Sequence, residues 1–423
     1  MSDVGYFKLL RDNGRFRLFW IAAFVSMLGE WFNTIAIFTI LLSFTGSEAL
    51  LGLLFTIRLM SFAVLQPVIG LLADRWSRKM IMIWSNVLQI GLALCFLFVD
   101  GPEDMWWMLS LAGLMMILHG AYMTAERAAL PNIVSDEELS TANALESATW
   151  SVSLAIGAAL GGIVVSNYGT DIAFIIDSMT FAVATILILP ISIPQNVSSK
   201  MKGPLLKTAF SNIKEGWTRI ASESRLFRIL FAKASWNIAG GGLAAVYLVL
   251  AGASVTSIEM AAGMGLFYMA RGIGTGIGPI FARQIFRDED KWPKIIGILV
   301  ALSGTLYLFV GLSLDQNLFI LLALIIAAHA ASGGNWVLST ILTQKWVEDE
   351  MRGRVFSMDM LLMSVSFSIS TMAAGVIIEY DILNLQQGMI LFSSIMVFAG
   401  VAFALWKTDD EKCMNSHEFL DNQ

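Results

Sequence analysis

Charged residues are scarce in this chain. Only 14% of its 423 residues are charged and 57% are hydrophobic, whereas a soluble fold of this length carries roughly 25% charged residues. The composition therefore excludes an ordinary water-soluble domain and favours a membrane protein. Nucleic-acid binding is not expected either, because the basic residues are spread over many short connections with no folded soluble domain to carry them.

The signatures of several other protein classes are also missing. The chain has two cysteines, Cys95 in an apolar run and Cys413 near the end, so neither a disulfide framework nor a metal site is implied. It has no Gly-x-x-x-x-Gly-Lys-Ser/Thr nucleotide loop, and no Ser-His-Asp or metal-ligand spacing rises above chance. We therefore expect no cofactor, no metal and no enzymatic activity, and an energy-requiring function would draw on an ion gradient.

Twelve long apolar runs dominate the sequence. Each reaches or exceeds the ~20 residues that a helix needs to cross ~30 Å of hydrocarbon. They predict an all-α integral membrane protein with twelve spans, numbered in chain order: 17–43, 49–73, 80–99, 105–125, 144–166, 171–193, 226–251, 258–282, 292–313, 317–340, 356–378 and 386–406. Residues 1–16 lack the apolar core and cleavage site of a signal peptide, so span 1 is expected to be a retained anchor.

Lys and Arg are confined almost entirely to alternate connections. The other six connections, near residues 44–48, 100–104, 167–170, 252–257, 314–316 and 379–385, contain neither residue. By the positive-inside rule, both termini and the basic connections are expected in the cytoplasm. Lys233 is grouped with the basic residues at the start of span 7, which leaves Arg58 and Arg271 as the basic residues inside spans.

The two halves of the chain resemble each other. A polar stretch separates six spans from six, Gly52 precedes Arg58 as Gly265 precedes Arg271, and further matches follow in the same order. Such repeats are typical of secondary transporters. The expected domains are an N-terminal six-helix bundle (1–193), a cytoplasmic central loop (194–225), a C-terminal six-helix bundle (226–406) and a cytoplasmic tail (407–423).

The connection between spans 2 and 3 resembles a known motif. Gly70, Asp74, Arg75, Arg78 and Lys79 match the signature loop of the major facilitator superfamily, Gly-x-x-x-Asp-Arg-x-Gly-Arg-Lys, with a serine in place of one glycine. The likeness extends over all twelve spans and is greatest to the bacterial siderophore (enterobactin) and macrolide exporter branch. It implies two pseudo-symmetric six-helix bundles and a monomeric transporter of small molecules.

This loop is expected to act as a gate. The carboxylate of Asp74 can face the positive end of a neighbouring helix, and its basic neighbours can reach anionic lipid. Such contacts would latch the cytoplasmic ends of the two halves in one state. The alternative is that the basic residues only fix topology, for which Asp74 is not needed.

Span 5 resembles the antiporter motif of the same family. Gly157, Gly161 and Gly162 match it, while Ser153 and Ala158 stand where the family has Gly and Pro. Small residues every fourth position let helix backbones approach closely. The resemblance implies efflux by antiport, and ordinary helix packing is the alternative.

Glu30 is the main candidate for binding a coupling proton. It lies 13 residues into span 1, and Arg58 lies at a similar depth in span 2. An unpaired charge there costs ~3 kcal/mol or more, so we expect the two to pair or to line a wet cavity. The alternative is a permanent structural ion pair. Glu126 and Arg127 are expected at the membrane interface instead.

Three further residues are candidates for proton handling. His119 and His329 hold matching positions in spans 4 and 10, and histidine titrates near pH ~6.5. A lone intramembrane histidine more often joins two helices by a hydrogen bond. Asp177 in span 6 is either a partner for Arg271 or a shallow, hydrated acid.

A substrate cavity is expected to be lined by aromatic and polar side chains inside the spans. The candidates are Trp31, Tyr122, Trp150, Asn237, Tyr268, Arg271, Asn335 and Trp336. Most aromatic side chains in such a chain face lipid or fill helix contacts, and asparagines can equally join helices.

Together these features predict a secondary active transporter of the bacterial cytoplasmic membrane. It would export a small amphipathic molecule, such as a drug or a siderophore, in exchange for protons by alternating access. Its expected partners are the substrate, protons and the lipid bilayer. A lipid or nutrient carrier of the same fold is the rival, and a non-transporting sensor is disfavoured because it has no need of mid-membrane charges.

Overall fold

The structure is a computed structural model that describes residues 5–195, 205–254 and 258–406. The side chains of residues 67, 70, 71, 73–75, 205–209 and 349 also fall outside the description. The expected tail at 407–423 and residues 196–204 of the expected central loop lie outside the described residues.

The described residues form fifteen α-helices in the following order. They are α1 (Tyr6–Asp12), α2 (Gly14–Thr45), α3 (Glu48–Arg75), α4 (Arg78–Cys95), α5 (Met105–Ala129), α6 (Asp136–Tyr168), α7 (Thr170–Ile188), α8 (Leu205–Ala221), α9 (Ser224–Gly241), α10 (Leu248–Ser254), α11 (Met260–Ile285), α12 (Trp292–Leu312), α13 (Leu318–Trp346), α14 (Asp349–Glu379) and α15 (Leu385–Leu405).

The predicted all-α membrane fold is confirmed. Eleven of the described helical segments are long and apolar enough to cross a membrane, and one of them joins α9 to α10 through a π-helical turn at Gly242–Tyr247. The remaining expected span is α11, whose 26 residues suffice in length but include six glycines and Arg271. Several helices extend beyond the apolar runs, since α14 begins at Asp349 rather than at residue 356.

Local side-chain chemistry fixes the ends of the helices that carry the site. Asn13 Oδ1 accepts a hydrogen bond from the Phe16 amide at the start of α2 (3.0 Å), as a capping residue does. The α2 helix ends at Thr45 and is followed by Gly46. The φ of Gly46 is 61°, a left-handed backbone conformation that glycine adopts at little energetic cost. With these ends, Glu30 lies halfway along α2.

Close helix contacts organise the first of two compact units, which comprises residues 1–207 and 248–273. A Cβ atom on Gly29 of α2 would overlap Thr180 and would lie 2.8 Å from Asp177 Oδ1 of α7. Gly157 of α6 likewise abuts Trp31 of α2. A larger residue at either position would push the helices apart. Gly29 therefore lets α7 pack directly against α2 beside Glu30.

The antiporter-like residues of α6 also mark close helix contacts. A Cβ atom on Gly162 would lie 2.7 Å from the Ala261 carbonyl of α11, and Gly265 of α11 abuts the Ala158 carbonyl of α6. Gly161 lies against the α2 backbone at Phe32. These three helices therefore approach at backbone distance, as small-residue stripes allow in membranes. Residues 248–273 group with the first unit by packing, although the sequence counts them in the second half.

The second compact unit comprises residues 208–247 and the chain from 274 onwards. Its α12 and α15 approach closely where Gly297 lies against Ala404 and Gly400 lies against Ala301. At the π-helical turn, the Gly242 amide donates a hydrogen bond to Ser370 Oγ of α14 (2.8 Å). The glycines that stand where the first half has Glu30 therefore serve backbone packing in the second half.

The expected central loop contains a helix, α8, that docks on the beginning of α14. Gly216 of α8 abuts the Arg354 carbonyl, and Glu215 Oε2 lies 2.5 Å from Arg354 Nη1. Arg219 Nε lies 3.0 Å from Glu348 Oε2. The hydrogen bond from the Arg219 guanidinium holds the pKa of Glu348 below its ordinary value. The basic residues of this region therefore make specific protein contacts besides their expected role in topology.

The contact at Gly216 is testable. Gly216→Val should detach α8 from α14, because a branched side chain cannot fit against the Arg354 carbonyl. Overpacking of this kind costs typically ~1–3 kcal/mol, which would raise the rate of tryptic cleavage within residues 194–225 by about tenfold. Limited proteolysis of the purified protein measures that rate. Gly353→Ala is the control, because a Cβ atom there meets nothing within 4 Å, and equal cleavage of both variants would contradict the docking.

Candidate functional site

Ionisable side chains from three helices meet in the first unit. Arg58 Nη2 of α3 lies 3.5 Å from Glu30 Oε1 of α2, and His119 Nδ1 of α5 lies 3.2 Å from Glu30 Oε2. Arg58 Nη2 also donates a hydrogen bond to Thr34 Oγ1 (3.1 Å). The contact with His119 becomes an ion pair when the imidazole is protonated. The structure thus places three of the predicted proton-handling residues in direct contact.

A small cavity adjoins this cluster. It is lined by Glu30, Asn33, Ile37, Arg58, Gln89, Ala112, Met115, Met116 and His119. Its free space is on the order of that needed by one water molecule. The side chains of Glu30 and Arg58 are 22% and 15% exposed, so the cluster is shielded but not sealed.

Asp177 lies beside the same cluster. It is fully buried in α7, so it is not the shallow, hydrated acid that the sequence left open. Asn33 lies next to it, yet neither carboxylate oxygen accepts a well-formed hydrogen bond from the described residues. Glu30 and Arg58 are the charged groups that act on it, and Arg271 is not among them. An unpaired buried carboxylate is costly, which makes Asp177 a second acid of the site.

An aromatic group connects the cluster to Arg271. The ring of Tyr268 lies 5.7 Å from that of Trp31 and 5.8 Å from that of Phe38. The guanidinium carbon of Arg271 lies 5.3 Å from the Tyr268 ring centre, as in a cation–π contact. Tyr268 is buried and within electrostatic reach of Arg58. Three of the predicted cavity residues therefore belong to one neighbourhood.

A buried ion pair lies in the second unit. Lys233 Nζ of α9 lies 2.5 Å from Asp359 Oδ2 of α14, and the two side chains are only 2% and 3% exposed. Lys233 Nζ also lies 4.9 Å from the ring centre of Trp336. The sequence placed Lys233 at the start of span 7, and the structure shows that it is the tenth residue of α9, which begins at Ser224, and that its side chain is buried. Asp359 was not predicted as a site residue. The α14 helix begins at Asp349, before the apolar run from which the sequence predicted it, so Asp359 lies deeper in the helix than expected.

The other predicted polar residues of the second unit are buried. Asn237 Nδ2 donates a hydrogen bond to the Lys233 carbonyl (3.1 Å), and Asn335 is 3% exposed. His329 Nε2 lies 2.6 Å from Tyr307 Oη. The His329–Tyr307 contact joins α13 to α12, which is the alternative that the sequence left open for the histidine, whereas the Asn237 hydrogen bond stays within α9.

The gating loop makes contacts with helix ends. Arg78 Nη1 donates hydrogen bonds to the Ala128 carbonyl (2.6 Å) and to Asn132 Oδ1 (2.8 Å), and Lys79 Nζ donates to the Leu189 carbonyl (2.6 Å). These carbonyls lie at the negative ends of α5 and α7. The structure gives both basic side chains protein partners, and their contact with anionic lipid stays a prediction. The side chains of Gly70, Asp74 and Arg75 lie outside the described residues.

The remaining predicted cavity residues differ in exposure. Trp150 and Trp336 are 40% and 48% exposed, whereas Tyr122 is 3% exposed. Glu126, which was expected at the membrane interface, is 4% exposed. The helix turn that carries Glu126 contributes Ala125 and Ala129 to an apolar cluster, and its position at the membrane interface stays a prediction.

Comparison with known proteins gives a consistent result. The family described as Major Facilitator Superfamily matches residues 19–243 and 289–418. A candidate bacilysin exporter, BacE, of Bacillus subtilis (strain 168) is 24% identical over 321 residues, covering 74% of this chain and 76% of that protein. Macrolide efflux protein A of Streptococcus pyogenes is 22% identical over 370 residues, covering 84% of this chain and 87% of that protein.

Solved structures share the fold at low sequence identity. A bacterial homologue of the lysosomal transporter Spinster, inward-facing and occupied, has a TM-score of 0.72 and 16% identity over 94% of this chain and 96% of that one. A variant of the nucleoside transporter NupG has a TM-score of 0.70 and 17% identity over 93% of this chain and 100% of that one.

The buried pair in the second unit predicts a particular pattern of stability. Lys233→Met or Asp359→Asn alone should destabilise the purified protein by about 3–5 kcal/mol, because each leaves an uncompensated buried charge. The double variant should recover most of this loss, since no unpaired charge remains. Thermal unfolding in detergent measures the series as a double-mutant cycle. If the stability losses of the two single variants add up in the double variant, the two charges do not stabilise each other.

Proposed function

We propose that this chain, which belongs to the Major Facilitator Superfamily, exports a small amphipathic molecule in exchange for protons. It is a multi-pass membrane transporter with relatives named as exporters and efflux proteins. The observation that carries the proton-coupled part of the proposal is the contact of Glu30 with Arg58 and His119 beside a small cavity. The proposed location is the bacterial cytoplasmic membrane with both termini in the cytoplasm.

The chemistry of the proposed proton site follows from its charges. When Glu30 is ionised, Arg58 and a protonated His119 can both pair with it. A proton on Glu30 removes the charge that holds these partners, so the contacts between α2, α3 and α5 weaken. Protonation therefore changes the packing of three helices at once, which is what coupling to a conformational change requires.

The conformational change we propose is alternating access. The two repeats would rock about a central site that opens to one side and then to the other, as inverted repeats permit. The close contacts of α6 with α2 and α11 would let packed helices move as rigid bodies. Arg78 and Lys79, held at the ends of α5 and α7, would fix the loop that carries Asp74.

The proposed substrate region combines aromatic and charged surfaces. Trp31, Tyr268 and Arg271 of the first unit supply aromatic rings and a cation close to the proton site. Such a mixture suits a drug-like or siderophore-like molecule with apolar and polar groups. The macrolide and bacilysin named for the relatives are the first substrates to test.

A second candidate function is a lipid or nutrient carrier of the same fold, because the solved relatives include a nucleoside transporter. The names of the sequence relatives favour export over this alternative. A non-transporting sensor is opposed by the buried charges in both units, which are costly in a membrane unless they serve a function.

Glu30 is the decisive residue for coupling. In vesicles with the cytoplasmic face outward, an acidic lumen should drive accumulation of a radiolabelled macrolide or bacilysin. Glu30→Gln mimics the protonated acid, so we expect at least about a tenfold loss of uphill accumulation while exchange of substrate down its gradient continues. The measurement is substrate uptake with and without the imposed proton gradient.

The control is Glu137→Gln, which removes an exposed acid at the start of α6. Accumulation by Glu30→Gln at the wild-type level would place the proton elsewhere, and Asp177 would be the next residue to replace. Accumulation of neither compound by the wild-type protein, together with uptake of a nucleoside or a lipid, would favour the alternative carrier.

Asp74 is expected to govern transport rather than folding. Asp74→Asn keeps the size of the side chain but removes the charge that would face a helix end. We expect wild-type abundance in the membrane and a flux reduced by about tenfold or more. Asp290→Asn, in the corresponding connection of the second half, is the matched control. Wild-type flux in Asp74→Asn would contradict the latch.

A further inference from the structure

A second set of ionisable side chains lies on α5 beyond His119. His119, Tyr122 and Glu126 follow one another at intervals of three and four residues, so they share one face of the helix. Glu126 lies about 10 Å along the axis from His119, at ~1.5 Å per residue. Glu146 of α6 interacts electrostatically with Glu126 and completes the set. The direction from His119 to Glu126 is the one that the charge pattern assigns to the cytoplasm.

These side chains are buried without hydrogen-bond partners. Tyr122 is 3% exposed and Glu126 is 4% exposed. Tyr122 Oη, Glu126 Oε1 and Glu146 Oε1 are all buried, and none has a hydrogen bond within the described structure. The Tyr122 hydroxyl acts electrostatically on both carboxylates, which places it beside the pair. A buried hydroxyl and two buried carboxylate oxygens without partners are an unfilled polar site rather than a helix contact.

The surroundings do not compensate two negative charges. Arg127 is the described basic residue that acts on both carboxylates, and its side chain is exposed. From α2, Phe16 and Phe19 supply apolar surface, while Trp20 Nε1 donates its hydrogen bond to Thr149 Oγ1 (2.7 Å). Two ionised carboxylates in such a place repel each other and are poorly solvated.

We propose that Glu126, Glu146 and Tyr122 form a second proton-binding site. One proton is held between the two carboxyl groups, so that the pair carries a single negative charge, and the buried Tyr122 hydroxyl lies within electrostatic reach of both carboxyl groups. When the proton leaves toward the cytoplasm, both carboxylates are ionised and the pair carries two negative charges.

A proton fits this site better than any other cation. The low exposure of Tyr122 and Glu126 leaves no open path for an organic cation. A bare metal ion would need more ligands than two carboxylates and a phenol. Among the described residues, no group of three or more His, Cys, Asp or Glu side chains is placed to hold a metal.

The role of the site in transport depends on the proposed function, but proton binding does not. In the proposed cycle, a proton leaving Glu30 and His119 would pass along the same face of α5 to the Glu126–Glu146 pair before it reaches the cytoplasm. Proton binding by the pair can be measured in the purified protein without any substrate. A negative result for one proposal therefore leaves the other untouched.

The first test is the pH dependence of thermal stability. The folded wild-type protein holds a proton at the pair that the unfolded chain releases near pH ~4.3, so its stability should fall as the pH rises. Glu126→Gln and Glu146→Gln each leave one carboxylate without a like-charged neighbour. Both variants should therefore show a smaller decrease in Tm between about pH 5 and pH 9, although the poor solvation of the remaining carboxyl group keeps part of it. The control Glu137→Gln should keep the wild-type profile.

The second measurement is infrared absorption by protonated carboxyl groups in the purified protein at neutral pH. The C=O band should lose intensity in Glu126→Gln and in Glu146→Gln but not in Glu137→Gln. Tyr122→Phe should move the Tm decrease to a higher pH, because it removes a polar group that favours the ionised form of the pair. Wild-type Tm profiles and an unchanged band in both Gln variants would overturn the proposal. If the Gln variants change the Tm profile but the wild-type protein shows no proton-driven transport, the second proton-binding site is supported and the proposed function is contradicted.

Discussion

The cost of placing charge in an apolar interior governs this structure. Glu30, Arg58 and His119 are tolerated at mid-length of their helices because each supplies a partner that the others need. The same constraint binds Lys233 to Asp359 in the second unit, where both side chains are almost fully buried. A charged group in such surroundings is stable while its partners stay in place, so a change of charge at one residue changes the favoured positions of the helices that carry the others.

Close backbone contacts make this dependence effective. Gly29 directly precedes Glu30 in α2 and allows Asp177 of α7 to approach that helix. A Cβ atom on Gly29 would collide with Thr180 and crowd Asp177. Gly157 and Gly161 bring α6 to the same helix. With no side chains between the backbones to absorb small movements, a shift of α2 must be accommodated by α6 and α7. In the proposed cycle, rigid packing and buried charge act together to connect protonation of Glu30 to movement of the helices.

The fold was largely predictable from the sequence, and the site only in part. Long apolar runs and alternating basic connections suffice for the helices, because a membrane imposes length and charge rules on each span separately. Depth along two spans likewise placed Glu30 near Arg58. The contact of Glu30 with His119 and the burial of Asp177 depend on helix rotation, which hydrophobic runs do not encode. The pairing of Lys233 with Asp359 was not predicted, because it too depends on which faces of α9 and α14 meet.

The two units use opposite charges for their buried centres, and this difference has a chemical consequence. The first unit centres on acids that can gain or lose a proton, with Arg58 as a permanent cation. The second centres on Lys233, whose ammonium contacts both a carboxylate and the face of Trp336. Where the first half has Glu30, the second has glycines packed against α14. In the proposed exchange, the proton is assigned to the first unit, and the half-exposed ring of Trp336 in the second unit offers an aromatic surface to a substrate. A pseudo-symmetric pair of repeats that diverges in this way can bind two different species, which is the minimum that exchange transport requires.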